Sequence, residues 1–577
     1  MKQIIYLLFI FFIFNITLHS QQLKNTKSVS HRKAFVKGKI YTVNEKQPFA
    51  EAVVVEGNRI KFVGSETGAL EFITSDTELI DLNGRMMLPG FIDSHLHMMS
   101  GGFYSIGVDL RAAKSLEEFV NILKDYVSNH PGKWVTQGRW DNEKWDDNSL
   151  PTKSIIDNFS QNTPILIKRI DGHIALANSY ALMLAGIKKE TPDPDGGLIV
   201  RDPSTGEPNG LLKDLAIDLI DAVVSEPTEQ EYFEAGISAL NEFRKNGITS
   251  VQDITYNYAG DKHKPLTDLE TFQRLEKSNE LTCRIYSIIP IEYYTNFTKI
   301  GIQNNFGDDK IKIGSLKAYS DGALGSRTAW FYEPYIDDST NYGIPYDIVI
   351  NGSLKQWALD ADKNKLQICV HAIGDRANDY ILDLYKQIAE ENPVWDRRFR
   401  IEHAQHLLPR DIPRFSEIGV IASVQPYHCI DDGTWAENRI GKERVKSTHP
   451  YKSFLDNNVV VAFGTDWPVA PLNPLFGIYA AVTRRTVDDK NPNGWIPEQK
   501  ISVEEAIKCY TLNAAYASFD ENVKGSIEVG KLADLVVLSD DILEIDPVNI
   551  KDVKVEMTVF DGKIVYKNKK WNTDNMD

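Results

Sequence analysis

The sequence is poor in cysteine, and the few cysteines that it has form no known pattern. The 577 residues include four cysteines that lie far apart, at Cys283, Cys369, Cys429 and Cys509. A cysteine-based zinc site needs closely spaced pairs of the Cys-x-x-Cys kind, and a disulfide-stapled domain is small and rich in cysteine. The four cysteines fit neither a zinc site nor a disulfide-stapled domain, so we expect buried free thiols.

Positive charge is also scarce. Lysine and arginine number 64 against 81 aspartates and glutamates, which gives a formal net charge of −17 at pH 7. Such a chain repels phosphate backbones and anionic lipid headgroups, and no stripe of lysines and arginines offsets the repulsion. Nucleic acids and membrane surfaces are therefore poor candidate partners.

No hydrophobic run is long enough to cross a membrane. The run near the N-terminus, Ile4 to Phe14, follows Lys2 and spans roughly eleven residues, whereas a transmembrane helix needs about 20. In the polar stretch that follows, Ser20 supplies a small residue for cleavage, and no nearby cysteine offers a lipid attachment point. We predict a signal peptide over residues 1–20, export to the periplasm or the medium, and no stable membrane insertion.

The two ends of the chain differ in pattern from its middle. Residues 35–88 alternate short apolar stretches with turn residues, and Asp561-Gly562 near the C-terminus is a strong hairpin signal. The length also exceeds the roughly 250–300 residues at which one core stops growing. We therefore predict a β-sandwich built from residues 21–88 and 506–577, with a C-terminal helix, around a larger α/β domain over residues 89–505.

The middle of the chain contains eight candidate strands, each followed by a helix-like segment. They cover residues 86–93, 247–254, 284–291, 311–319, 366–371, 398–403, 419–425 and 459–464. Eight such units without a glycine-rich dinucleotide loop favour a (β/α)8 TIM barrel over an open doubly wound sheet. Residues 100–241 are too long for an ordinary connection, so we expect an insertion that folds over the site as a lid or subdomain.

Histidines and one aspartate fall where the candidate strands end. His95 and His97 follow the first strand, and period-2 geometry puts both imidazoles on one face, where they can bind one ion. His371 ends the fifth strand, His403 ends the sixth, and Asp466 follows the eighth. Barrel enzymes place their chemistry at this C-terminal face. The alternative is that each histidine merely caps a strand.

Several motifs resemble the amidohydrolase superfamily. Leu88–His97 is similar to the opening of its barrel and Gly530–Leu538 to its closing β segment. Within the superfamily, the chain resembles the amidohydrolase-3 branch of YtcJ-like proteins and N-substituted formamide deformylases. The stretches that carry this resemblance are 317–329, 371–377, 401–405 and 464–468. Together the matches span nearly the whole mature chain.

The resemblance implies a site for a divalent metal, with zinc as the expected ion, in one or two positions. The implied ligands are His95, His97, Lys317, His371, His403 and Asp466. In binuclear relatives the lysine of the fourth strand is carboxylated and bridges two ions, and the added negative charge suits two divalent cations. The alternative is that Lys317 only pairs with a neighbouring carboxylate.

Asp466 is the predicted catalytic residue. A metal lowers the pKa of bound water to about 7, and a carboxylate in contact can take the proton and deliver it to a leaving nitrogen. An aspartate after a strand also serves as a helix N-cap, which is the structural alternative.

Substrate contacts are predicted from the insertion and from the loop after the fourth strand. The candidates are Trp140, Asp171, His173 and Arg327. Trp140 suits an apolar or aromatic substrate group or simply packs the insertion, and Arg327 binds a substrate carboxylate or a neighbouring acid.

These features predict an enzyme that hydrolyses a non-peptide carbon–nitrogen bond in a small molecule, such as an N-acyl or N-formyl amide. Because fold does not determine function, a hydrolase of a lactone, carbamate or cyclic amide stays open, as does a non-catalytic exported ligand-binding protein on the same scaffold. The assembly is left open between a monomer and a homodimer.

Overall fold

The computed structural model describes residues 32–572 except 112, 143–144, 146–148, 170–172 and 256–264. The predicted signal peptide and Asp171 therefore lie outside the described residues. Within the described part of the chain, none of the helices combines the length and apolar character of a membrane span.

Eight parallel strands form a barrel, which confirms the predicted fold. They are β1 (Phe91–Leu96), β2 (Ile248–Ile254), β3 (Arg284–Pro290), β4 (Ile311–Tyr319), β5 (Gln367–Ala372), β6 (Arg400–His403), β7 (Ile421–Val424) and β8 (Val461–Phe463). They lie side by side in chain order, and a short strand, Phe306–Gly307, pairs with β4. Just beyond β8, the Asp466 N–H donates to the His95 carbonyl at 2.7 Å. This bond joins the last strand to the first.

Helices follow the barrel strands, as a (β/α)8 fold requires. They are Met98–Ile106, Glu229–Lys245, Pro265–Lys277, Tyr294–Ile300, Asp347–Ile350, Ser353–Lys363, Asp375–Glu391, Ile412–Ile418, Pro426–Asp432, Glu437–Arg444, Tyr451–Asp456, Pro474–Thr483, Val503–Cys509 and Leu512–Ala517. Glu229–Lys245 shows why such helices form where they do. It begins at a capping box between Thr228 and Glu231 and buries one stripe that includes Tyr232 and Phe243.

Both chain ends contribute to a second, all-β unit. One sheet contains Arg59–Gly64, Ala52–Glu56, Arg32–Val36 and Glu78–Asp81, and the other contains Lys563–Lys567, Val555–Phe560, Leu535–Leu538, Met86–Pro89, Lys39–Tyr41 and Phe49–Ala50. Leu535–Leu538 runs antiparallel to Met86–Pro89, so the two ends of the chain share one sheet. Phe35 and Val53 of the first sheet pack in one core with Met87 and Leu535 of the second. A short helix, Glu66–Ala69, completes the unit.

The first predicted strand is divided between the two domains. Met86–Pro89 belongs to the sandwich and β1 begins at Phe91, with Gly90 between them. A Cβ atom at Gly90 would lie 2.3 Å from Thr249 Oγ1, so only glycine fits where the chain passes from sandwich to barrel.

The insertion after β1 folds around its own sheet. Its strands are Leu166–Lys168, Ile174–Ala177, Gly197–Arg201 and Pro208–Asp214, and its helices are Leu116–Asn129, Ser179–Leu184 and Asp218–Asp221. Two apolar clusters pack within this unit. The helix Glu229–Lys245, whose start falls inside the predicted range of 100–241, packs instead against Met98–Ile106 of the barrel.

Candidate metal centre

The histidines and the aspartate singled out from the sequence converge at the C-terminal end of the barrel. The rings of His95 and His403 have centroids 4.8 Å apart, and those of His371 and His403 are 4.6 Å apart. The His97 ring lies 5.7 Å from that of His95, and both imidazoles face Asp466. All five side chains are buried. The barrel thus brings together residues that are spread over most of its length.

The spacing of the polar atoms suits ligands around one ion. Asp466 Oδ1 lies 3.5 Å from His95 Nε2 and 3.2 Å from His97 Nε2. Tetrahedral zinc ligands at about 2.0–2.1 Å from the metal lie roughly 3.3 Å from one another. His95, His403 and Asp466 also each offer a ligand atom, and these atoms lie within 4.8 Å of one another. A divalent ion therefore fits this donor set.

Hydrogen bonds orient two imidazoles so that Nε2 carries the lone pair. His97 Nδ1 lies 3.1 Å from the Ile254 carbonyl, which can only accept, so this nitrogen must carry the proton. His403 Nδ1 lies 2.7 Å from Gln425 Oε1, and the Gln425 amide nitrogen donates to the Ser423 carbonyl. Since a metal ligand needs the lone pair, both Nε2 atoms are ready to bind an ion.

A buried charged network orients His95. Its Nδ1 lies 2.6 Å from Glu402 Oε2, which leaves Nε2 free to face Asp466. Arg400 Nε donates to Glu402 Oε1 at 2.8 Å, and both side chains are fully buried. Burial alone would raise the pKa of Glu402, but the Arg400 charge and the bond from His95 hold it well below its usual value. Glu402 is thus an ionised acceptor for the His95 N–H.

His371 differs from these three imidazoles in which ring nitrogen carries the lone pair. Its Nε2 lies 3.2 Å from the Gly322 carbonyl and donates to it, so Nδ1 keeps the lone pair. Burial lowers the pKa of His371 to about 3. Burial likewise holds the pKa of His403 well below its usual value. Both imidazoles are therefore neutral at pH 7, which is the form that binds metal.

Lys317 lies in β4 with its amine inside the barrel. The side chain is buried, and its Nζ lies 4.9 Å from the centroid of the Tyr319 ring. Burial lowers the pKa of Lys317 although Glu402 and Asp466 act in the opposite direction. Among the residues that the structure describes, Lys317 forms no ion pair, so the simple pairing with a carboxylate is not seen.

Asp466 occupies an unusual backbone conformation at the centre of this cluster. Its φ angle is 61°, and that of His403 is 72°, both in the left-handed region that costs non-glycine residues energy. At Gly464, a Cβ atom would lie 2.5 Å from the His95 nitrogen, so glycine lets the end of β8 approach β1.

None of the contacts that the structure describes places a predicted substrate-binding residue at this cluster. Trp140 is 0% exposed, donates from Nε1 to the Ile167 carbonyl at 3.0 Å and packs in the core of the insertion. These contacts match the packing role that was the alternative weighed for Trp140. The side chain of His173 is 73% exposed, with Nδ1 2.9 Å from an Asp214 oxygen. Asp171 lies outside the described residues.

Arg327 binds a neighbouring acid, which was the alternative weighed for it. Its guanidinium lies 2.8 Å from an Asp337 oxygen. Arg439 contacts the same carboxylate. Because Asp337 already satisfies the Arg327 charge, the predicted contact with a substrate carboxylate has no support in this structure.

Several residues that sequence reasoning missed contact the cluster and orient its side chains or backbone. Asp93 Oδ1 accepts the N–H groups of His95 and Thr465 at 3.1 and 3.0 Å, which ties β1 to the segment after β8. Glu402 and Gln425 orient imidazoles, as described above, and His428 lies beside Asp466. Glu402 and His428 gave some signal, since each lies at the end of a candidate strand or just beyond it.

The sequence profile of the amidohydrolase-3 group, described as the amidohydrolase family, matches residues 78–566. The chain belongs to the amidohydrolase family. Among curated relatives, LONG AFTER FAR-RED 3 of Arabidopsis thaliana is 40% identical over 87% of this chain and 86% of its own length. YtcJ of Bacillus subtilis is 33% identical over 92% and 98%, and the N-substituted formamide deformylase of Arthrobacter pascens is 26% identical over 92% and 97%.

A solved structure shares the fold over most of the chain. The metal-dependent hydrolase from Pyrococcus horikoshii OT3 superposes with a TM-score of 0.74 at 27% identity, covering 89% of this chain and 99% of that one. The predicted family, fold and hydrolase class are thus confirmed.

Proposed function

We propose that this amidohydrolase is an exported enzyme that hydrolyses a non-peptide carbon–nitrogen bond, as in an N-formyl or N-acyl amide. The observation that carries the proposal is the convergence of His95, His97, His403 and Asp466 at spacings that suit metal ligands. The name of the N-substituted formamide deformylase, which matches over 92% of this chain, supports an amide as the substrate.

The residues that would hold the metal are the three imidazoles and Asp466, with His371 for a second position. A bound divalent ion, for which we expect zinc, would make a water molecule a better nucleophile and polarise the substrate carbonyl. Lys317, if carboxylated, would be a ligand shared by two ions. The amine is buried at the cluster and forms no ion pair among the described residues, which supports that role.

Asp466 performs the proton transfers in this proposal. It accepts a proton from the attacking water as the water oxygen bonds to the carbonyl carbon. It then delivers that proton to the nitrogen as the carbon–nitrogen bond breaks. The products are a carboxylic acid and an amine, and Asp466 returns to its ionised state. Glu402, Gln425 and the Ile254 carbonyl keep the imidazoles in the orientation that this requires.

Metal analysis followed by a substrate screen tests the proposal. Purified mature protein is assayed for bound metal and then for turnover of formamides, N-acyl amides, carbamates, cyclic amides and lactones. We expect metal-dependent release of an amine, lost on chelation and in Asp466→Asn. Turnover of lactones alone would assign a different bond, and tight binding of these compounds without turnover of any would favour the non-catalytic alternative.

A further inference from the structure

His428 is a fifth histidine at the cluster. The helix Pro426–Asp432 begins just after β7 and places His428 in its first turn. His428 Nε2 lies 3.8 Å from Asp466 Oδ2, and its ring is nearly parallel to that of His403 with centroids 6.3 Å apart. It thus lies at the C-terminal end of the barrel, beside the residue to which we assign proton transfer.

The hydrogen bonding of His428 sets it apart from the other four imidazoles. His95, His97, His371 and His403 each have one ring nitrogen held by a protein oxygen. His428 Nε2 is buried and has no hydrogen-bond partner among the described residues. Buried polar groups in proteins nearly always have a partner, so this nitrogen is expected to meet one in the working enzyme.

The geometry around Asp466 indicates where that partner lies. Asp466 Oδ1 faces His95 and His97, whereas Oδ2 faces His428. A separation of 3.8 Å is too long for a direct hydrogen bond, so Asp466 does not occupy the Nε2 atom of His428. A substrate whose scissile bond lies beside the proton acceptor therefore comes within reach of this unpaired nitrogen.

We propose that His428 is a catalytic residue whose Nε2–H donates a hydrogen bond to the oxygen of the scissile carbonyl. The bond strengthens as negative charge develops on that oxygen, so it favours the transition state over the bound substrate. His428 keeps its proton throughout, and Asp466 alone moves the proton from water to nitrogen. This inference rests on the proposed hydrolysis for the identity of the oxygen.

The test compares His428→Ala and His428→Gln with wild-type holoenzyme, and His130→Ala serves as the control. His130 lies in the insertion and contacts Tyr126. Metal content is measured by elemental analysis, and the affinity for methylphosphonate, a tetrahedral anion, by calorimetry. Turnover is measured on a substrate found in the screen.

We expect His428→Ala to keep its metal, to bind methylphosphonate about tenfold to a hundredfold more weakly, and to lose about 10²–10³ in kcat with little change in KM. The glutamine variant, which retains an N–H donor, should recover part of both losses. His130→Ala should match wild type throughout.

Loss of metal from His428→Ala would make His428 a ligand and overturn the proposal. Unchanged methylphosphonate affinity with unchanged kcat would do the same. If wild type cleaves no amide but His428→Ala still weakens methylphosphonate binding, the assignment of the carbon–nitrogen bond fails while the donor role of His428 holds.

Discussion

Replacing Glu402 with glutamine separates the orientation of a candidate metal ligand, His95, from the stability of the barrel. Glu402 accepts from His95 Nδ1 at 2.6 Å and from Arg400 Nε at 2.8 Å, and all three side chains are buried. Glutamine keeps the size of the side chain and an oxygen that can accept one of these bonds. It removes the negative charge that balances Arg400.

Two effects of different size follow from this contact pattern. Leaving the Arg400 guanidinium buried without its carboxylate costs about 3–5 kcal/mol of folding free energy. Loosening His95, and letting an amide N–H compete for its Nδ1, should weaken metal binding by about 10- to 100-fold. That range corresponds to about 1.4–2.7 kcal/mol. The variant should therefore be less stable without metal and should also hold the metal more weakly.

The assay is competition for zinc with a chelator, together with thermal unfolding of the metal-free protein. Asp534→Asn is a matched control, because Asp534 pairs with Arg284 at 2.7 Å in another buried ion pair. Arg284 opens β3, at the end of the barrel opposite the cluster. The control should lose stability and keep its zinc affinity. Equal zinc affinity in Glu402→Gln and wild type would refute the orienting role of Glu402.

Four further predictions concern the proton acceptor, the lysine, acid stability and the N-terminus. Asp466→Asn should lower kcat at least about 100-fold with an unchanged circular dichroism spectrum, because an amide cannot carry the proton; retained turnover would assign the transfer elsewhere. Lys317→Ala should lower the metal content from two ions per chain, with recovery on adding bicarbonate or a short carboxylic acid. One ion per chain in both proteins without rescue would eliminate the bridged site. In the metal-free protein, burial holds the pKa of His371 at about 3 against 6.5 when unfolded, so the unfolded chain takes up a proton that the folded chain excludes. This stability is complete above pH 6.5 and is lost as pH falls towards 3, at up to about 1.4 kcal/mol per pH unit, and His371→Asn should show a shallower loss in denaturant titrations at pH 7 to 4. N-terminal sequencing of exported protein should begin near Gln21, and a cytosolic chain that retains its first residue would contradict the signal peptide.

The sequence by itself determined the barrel, the β-rich ends and the residue types of the candidate metal site. Strand and helix periodicities are local, so the eight units could be located from their apolar runs and turns. His95 and His97 share a face because side chains alternate along a strand. Asp466 could be located because it directly follows the last strand. The C-terminal ends of all barrel strands meet at one face, so these positions predicted the cluster without any distance.

Only the tertiary structure decided which groups support the cluster. Glu402 and His95 are 307 residues apart in the chain, and no local pattern shows that one orients the other. The sequence around Arg327 was equally compatible with a substrate carboxylate and with a neighbouring acid. The folded loop places Asp337 beside it. Trp140 was open between a substrate wall and a core, and contacts with Phe119 and Trp145 placed it in the core. The physical reason is that burial and hydrogen-bond partners depend on what distant segments bring to a residue, whereas periodicity depends on its neighbours in the chain.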